Sequence, residues 1–231
     1  MDAGAIMTQA VVTVGLDTTV SGVAKIMLEH RISAVPVLDQ AGALVGIISE
    51  GDLLRRAEVG TEHRRSRWME LGFSSRHLAA DYVKEHGRKA SDVMTRTVIT
   101  VRPETEIAEI ANILASRHIK RVPVVVNSRL VGIVSRTNIV QALASSEKTS
   151  EYAAAPQDRD IQEALHQAMR KHQWAFLPSQ ANIVVRDGVV YLWGYIESEE
   201  ARRAITVMAE NTKGVRRVED HMDYPPIYPA L

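Results

Sequence analysis

Two short stretches of this chain carry residue types that could hold a small polar ligand. They are Gly46-Ile47-Ile48-Ser49-Glu50-Gly51-Asp52 and Gly132-Ile133-Val134-Ser135-Arg136-Thr137-Asn138. In each, an apolar run ends at a Ser, and an Asp or Asn follows three residues later. A chain that turns from strand into helix at that Ser can use its hydroxyl as an N-cap, with the first helical N–H groups facing outward. Helix N-termini attract anions. Asp52 falls one turn along, near the same mouth. An ionised carboxylate only accepts hydrogen bonds, and its two oxygens suit the two hydroxyls of a ribose diol. The same spacing also makes a plain capping box, in which Ser and Asp satisfy backbone donors and nothing else. A lone copy favours the plainer reading; recurrence beside Val-Pro strands counts against it.

The recurrence extends well beyond these seven residues. Residues 32–53 read ISAVPVLDQAGALVGIISEGDL and residues 119–139 read IKRVPVVVNSRLVGIVSRTNI. Upstream, Met7-Thr8 matches Met94-Thr95, Val14 matches Val101, and Thr19-Val20 matches Glu106-Ile107, at an offset of 87 residues through the Pro and 86 after it. An internal repeat of this kind implies two similar units related by approximate twofold symmetry, with paired clefts between them. Each copy reads as strand, helix, strand, strand, helix. Val11–Val14 is a short strand, and Thr18 or Thr19 caps a helix with Val20, Val23, Ala24, Met27 and Leu28 on one face. Val35–Leu38 and Leu44–Ile48 are apolar runs too short for helices, joined by a turn around Asp39–Gly42. The second copy repeats the order: strand Val98–Val101, a helix with Ile107, Ile110, Ala111 and Leu114 on one side, strands Val122–Val126 and Leu130–Val134, and a helix through Ile139 and Leu143.

Residues 55–91 separate the copies. This insert carries Arg55, Arg56, Arg64, Arg65, Arg67, Arg76 and Arg88 with Trp68, Met69, Leu71 and Phe73, and Leu78, Ala79, Tyr82 and Val83 have helical spacing. It reads as helices packing on the module or on a dimer mate. A partner or nucleic-acid surface is the sharper alternative, but Glu58, Glu62, Glu70, Asp81 and Glu85 dilute its charge. Residues 145–159 are small and polar with a Pro, as in a linker. A smaller αββαβ unit follows: a helix after Asp160 bearing Ile161, Ala164, Leu165 and Ala168, strands Asn182–Arg186 and Val189–Tyr195 about an Asp187-Gly188 turn, a helix opened by Ser198, and a strand Val215–Met222. The Pro-rich tail cannot continue regular structure. The expected division is 1–54, 55–91, 92–145, 146–157, 158–223 and 224–231. The fold class is α/β (α+β).

Composition narrows the functions. The 231 residues hold 28 Lys and Arg against 28 Asp and Glu, so no global field draws the chain to nucleic acid or an anionic membrane. There is no cysteine, which removes disulfides, thiolate catalysis and the common structural zinc sites. Basic-plus-apolar leader patterning and long apolar spans are not visible in the sequence, giving a cytoplasmic expectation. His63, His77, His86, His166 and His172 form no zinc-site pattern, and no Gly-x-Ser-x-Gly elbow is present. Trp174 and Trp193 read as core or half-buried platforms. The expectation is no metal, no catalytic residues and no enzyme.

On the Met-Thr starts, the paired Val-Pro-Val strands and the two Gly-h-h-Ser-x-x-Asp/Asn motifs, the repeats resemble a tandem pair of CBS domains. Val184-Val185-Arg186-Asp187-Gly188-Val189-Val190-Tyr191-Leu192-Trp193-Gly194 with Gly214-Val215-Arg216-Arg217-Val218 resembles a BON domain. The first resemblance implies clefts built across the repeats. Ser49 and Asp52 would then face Ile99, Ile119, Lys120 and Arg121, and Ser135 and Asn138 would face Val12, Ile32, Ser33 and Ala34. The first set offers a carboxylate for ribose and two cations for phosphate, through charge-assisted bonds of roughly 1.5–3 kcal/mol each. The second has Asn for Asp and no cation before its Pro, so it is expected to be weak, empty or suited to a neutral nucleoside. The resemblance further implies an AMP, ADP, ATP or NAD ligand, a homodimer through the CBS helices, and a BON domain that meets phospholipid or a protein partner. The alternatives are a structural dimerisation adaptor without ligand, and a nucleic-acid-associated regulator acting through the insert.

Overall fold

The protein is described from a computed structural model, which covers residues 1–54, 82–84, 86–145, 156–172 and 181–225. Most of the insert, from Arg55 to Asp81 with Trp68 and Phe73, lies outside the described residues, as do Trp174 and all of the tail but Tyr224 and Pro225. The elements of the repeats are α1 (Ala3–Ile6), β1 (Val14–Gly15), α2 (Val20–Glu29), β2 (Ala34–Leu38), β3 (Leu44–Ser49), α3 (Glu50–Leu54), α4 (Ala90–Val93), α5 (Ile107–Ser116), β4 (Arg121–Val126), β5 (Arg129–Ser135) and α6 (Arg136–Ala144). The C-terminal region adds α7 (Pro156–Arg170), β6 (Asn182–Arg186), β7 (Val189–Tyr195), α8 (Glu199–Glu210) and β8 (Arg217–Asp223).

Two compact units emerge, and they cut across the sequence repeats. One joins Val12–Ile99 with Ser128–Leu130; the other joins Met1–Val11, Thr100–Asn127 and Val131–Leu231. The first ten or so residues of each copy are therefore exchanged. In one unit, Ala90 N and Ser91 N donate to Thr18 O and Leu16 O, and Thr95 exchanges two backbone hydrogen bonds with Ile47. In the other, Ala3 N and Gly4 N donate to Thr105 O and Pro103 O, and Thr8 exchanges two with Ile133. Each bond in one unit has its repeat-related twin in the other, which accounts for Met-Thr being doubled in the sequence.

In the first unit, β1 pairs parallel with β2 and β2 antiparallel with β3, Val35 standing opposite Ile48. Thr19 caps α2, its side chain accepting from Gly22 N at 3.1 Å. Asp39 makes the turn, its Oδ1 accepting from Ala41 N and Ala43 N. The core gathers Val14, Val23, Met27, Val35, Val37 and Ile48 with Ala90, Val93 and Met94 of the exchanged segment. Leu28, expected on the buried face of α2, is 77% exposed. It follows Met27 by one residue, about 100° around the helix, and so turns past the edge of the buried stripe. In both copies the helix ends on a left-handed residue, Arg31 at φ 51° and His118 at φ 53°. Ile32 N reaches back to Met27 O, and Ile119 N to Leu114 O. Both are Schellman closures without glycine.

In the second unit, β4 and β5 pair, and the expected strand Val98–Val101 is reduced to one parallel bridge from Val101 to Val124. That bridge is the counterpart of Val14 beside Val37. The C-terminal αββαβ region has the sheet order β6-β7-β8, with β6–β7 antiparallel and β7–β8 parallel. Asp187 (φ 49°) and Gly188 (φ 73°) form the expected two-residue turn. Helix α7 already covers Pro156–Asp160, ahead of the expected start after Asp160. Its buried stripe is Ile161, Leu165 and Met169. Ala164, expected to face inward, is exposed. Ser198 caps α8 through Ala201 N.

Candidate functional site

The first motif lies wholly in the Val12–Ile99 unit. Strand β3 delivers Ser49 opposite Ala34 of β2, and Glu50 N donates to Ser33 O at 3.1 Å, so helix α3 starts hard against the residues before Pro36. Asp52 curls back: its Oδ2 accepts from Ser49 N at 2.9 Å and from Ser49 Oγ at 2.7 Å. Its other oxygen, Oδ1, accepts from Lys84 Nζ at 3.2 Å. The Asp52 side chain is 16% exposed and that of Lys84 45%. Ser49 thus anchors one carboxylate oxygen, and a half-exposed ammonium holds the other. An ion pair this open contributes about 0–1 kcal/mol, so a polyhydroxylated ligand can compete for Oδ1.

The second motif, in the other unit, has the same skeleton and a different chemistry. Asn138 Oδ1 accepts from Ser135 N (2.8 Å) and Ser135 Oγ (2.6 Å), and Asn138 N donates to Ser135 Oγ (3.3 Å), which completes a capping box. Arg136 N donates to Lys120 O at 3.1 Å, the twin of Glu50 N to Ser33 O. The amide nitrogen Nδ2, which no carboxylate could replace, donates to Ile6 O at 3.0 Å and Thr8 Oγ1 at 3.3 Å. Asn138 is 4% exposed. The Asn that departs from the repeat pattern is consumed by the fold: an Asp there would set an anion against the Ile6 carbonyl.

The expected ligand sets divide between the units. Ser49, Asp52 and Ile99 belong with Val12–Ile99, whereas Ile119, Lys120 and Arg121 belong to the other unit; Val12, Ile32, Ser33 and Ala34 fall in the first unit, Ser135 and Asn138 in the second. Within the first, Ser49 stands opposite Ala34, Glu50 N reaches Ser33 O, and Asp52 is bonded to Ser49. Within the second, Ser135 adjoins the Lys120 backbone, and Lys120 is exposed while Arg121 is half-buried. The Arg136 guanidinium donates to Ile119 O at 3.2 Å. Val12, Ile32, Ile99 and Ile119 are all half-buried.

Several polar groups that matter here were not singled out by the sequence pattern. Lys84 belongs to the insert, and nothing in its spacing marks a partner 32 residues away. Asp158 is 3% exposed, and its two oxygens accept from Asp187 N and Gly188 N at 2.9 Å each. Gln162, 6% exposed, donates from Nε2 to both Ala5 O (2.9 Å) and Ile183 O (2.7 Å). His166 is held neutral: burial first, and the Arg170 charge second, push its pKa down to about 4. On β7 and β8, Trp193 and His221 stack at 4.1 Å, Trp193 being half-buried as expected. Among the described residues, no group of three or more His, Asp or Glu is arranged to hold a metal ion, and no helix is long and apolar enough to cross a membrane.

Comparison with known proteins adds the following. Residues 3–58 and 90–145 match the CBS domain model, and residues 157–226 match the BON domain model. An uncharacterized protein of Methanocaldococcus jannaschii is 32% identical over 138 residues, 55% of this chain and 82% of that protein. The chloroplastic CBS domain-containing protein CBSX1 of Arabidopsis thaliana is 29% identical over 144 residues, 58% of this chain and 59% of its own length. Among solved structures, CBSX2 in complex with AMP aligns with a TM-score of 0.54 at 29% identity, covering 62% of this chain and 96% of that one.

Proposed function

The chain belongs to the CBS-domain family, as two CBS domains followed by a BON domain, and from that premise we propose that it is a non-catalytic regulatory protein whose repeats bind an adenine nucleotide. Ser49 and Asp52 hold the ribose, with Ile99 and Ile119 against the base and Lys120 and Arg121 on the phosphate. The set Val12, Ile32, Ser33, Ala34, Ser135 and Asn138 forms a weaker site. The observation that carries this reading is the asymmetry of the two motifs. Among the described residues, one Asp52 carboxylate oxygen is engaged only by a half-exposed lysine, whereas the Asn138 amide is committed to Ile6 and Thr8 inside the fold. CBSX2, which binds AMP, supports the ligand class.

The nucleotide is AMP, ADP or ATP, with NAD as the larger relative. Differential affinity for two arrangements of the repeats is all such a sensor requires. Its state passes to the BON domain, which meets a membrane surface or a protein partner in the cytoplasm, and two copies associate through the CBS helices. Titration calorimetry with AMP and ATP tests the reading. Saturable heat that vanishes in Asp52→Ala and persists in Asn138→Ala supports it. Heat that survives Asp52→Ala and vanishes in Asn138→Ala reverses the sites, and no heat with either nucleotide leaves a dimerisation adaptor as the better account.

A further inference from the structure

The BON domain is joined to the second motif by folded protein as well as by the chain that leads into it. Helix α1 lies at the junction, and its residues Ala3 and Ile6 are fully buried. At one end Asn138 Nδ2 donates to Ile6 O and Thr8 Oγ1, and Thr8 is laddered to Ile133 of β5. At the other, Gln162 Nε2 of α7 donates to Ala5 O and, with the same nitrogen, to Ile183 O of the BON strand β6. Asp2, the N-cap of α1, is paired with Arg159 of α7, and Arg170 reaches Gln9 at 3.2 Å. Helix α6, which carries Asn138, also touches β6 through Gln141, whose Oε1 accepts from Asn182 Nδ2 at 2.7 Å.

We propose that Asp2–Thr8 is the relay between the Ser135/Asn138 motif and the BON domain, with Asn138 as the positioning residue toward the motif and Gln162 as the one toward the BON domain. The chemistry explains both residue types. A neutral amide can accept from Ser135 and donate to Ile6 at once, which a carboxylate cannot do. Gln162 spends both hydrogens of one nitrogen on carbonyls from two different elements, so a shift of α1 strains the bond the same amide makes to β6. Two consecutive carbonyls of α1, Ala5 O and Ile6 O, are each held by a side-chain amide, one from α7 and one from α6. Any ligand that moves Ser135 or Asn138 therefore pulls on the BON sheet through a four-residue helix. The relay itself needs no ligand; its use as a signal rests on the nucleotide reading above.

Hydrogen–deuterium exchange on the full chain tests it. Asn138→Asp removes the donor and faces a carboxylate to Ile6 O; exchange is expected to rise about tenfold in Met1–Thr8 and also in β6 and the first turns of α7. Gln162→Met, made from the other end, is expected to raise exchange in Met1–Thr8 and at Ile133–Asn138, as reciprocal coupling requires. Gln141→Leu serves as control and should loosen β6 while leaving Met1–Thr8 unchanged. A merely local role confines each effect to its own end: BON peptides unmoved in Asn138→Asp, or the motif unmoved in Gln162→Met, overturns the proposal. If Asn138→Asp unfolds the whole chain, Gln162→Met decides alone. Calorimetry with AMP on the wild type keeps the two claims apart, since no heat overturns the nucleotide reading, while the two variants alone uphold or overturn the relay.

Discussion

Gly46 and Gly132 are the points where the exchanged Met-Thr segments press closest to the strands they join. A Cβ built on Gly132 would lie 2.8 Å from Met7 Cγ and 3.1 Å from Met7 Cβ; one on Gly46 would lie 2.8 Å from Met94 Cγ and 3.1 Å from Met94 Cβ. Neither Met can step aside into solvent, because Met7 is 8% and Met94 3% exposed. The root of each Met side chain is itself in the way, so a rotamer change at its tip does not clear the overlap. Gly132→Ala and Gly46→Ala are expected to cost about 1–3 kcal/mol each, the usual range for overpacking a closed core, and to lower the urea midpoint without changing the slope. Truncating the partner should reverse the sign of the clash. Met7→Ala alone costs about 2–5 kcal/mol, but the double variant Met7→Ala/Gly132→Ala should be less destabilised than the sum by about 1–3 kcal/mol. The cross-pair Met94→Ala/Gly132→Ala should be additive. Additivity in the Met7 pair, or coupling in the cross-pair, would refute the assignment of each Met-Thr segment to the opposite repeat.

His166 and Asp158 give two further expectations. His166 titrates near 4 in the folded protein against 6.5 in an exposed chain, so the neutral form is favoured by folding; the stability it contributes is intact above about pH 6.5 and falls as pH drops toward 4. At pH 5 the loss is on the order of 2 kcal/mol, and His166→Leu should flatten the unfolding free energy between pH 7 and pH 5. An unchanged pH profile would place the histidine in water. Asp158→Ala strips the turn amides Asp187 N and Gly188 N of their acceptor in a buried setting and is expected to destabilise the BON domain by about 3 kcal/mol. Asp158→Asn should recover part of this, read as a urea midpoint between wild type and alanine.

How much of this was legible in the chain depends on the range of the interaction that decides it. Thr19 and Ser198 as caps, the Asp39 turn, and Asp187-Gly188 as a hairpin are settled by neighbours within four residues, and the sequence pattern names them. Which neighbours Val14 and Val101 pair with, Val37 and Val124, is seen only in the fold; that the two valines correspond followed from repetition alone. The exchange of the Met-Thr segments did not, because an offset is satisfied equally by a segment that stays on its own copy and one that crosses. Burial was misjudged at Leu28 and Ala164, where an apolar residue sits just off the stripe that tertiary packing selects. The Asn at 138 looked like a weakened ligand residue; its reason is a carbonyl 132 positions away. Lys84 at Asp52 is invisible for the same cause, and the arginines and aromatics from Arg55 to Arg76 that invited a nucleic-acid reading lie outside the described residues.

Crystals grown with a mixture of adenine nucleotides put the account to its most direct test. The prediction is density for a nucleotide whose ribose hydroxyls lie within hydrogen-bond distance of Asp52 Oδ1, with Lys84 withdrawn from that oxygen and Lys120 and Arg121 on the phosphate. A nucleotide seated instead on Ser135, with the Asp52–Lys84 pair still closed, would contradict it.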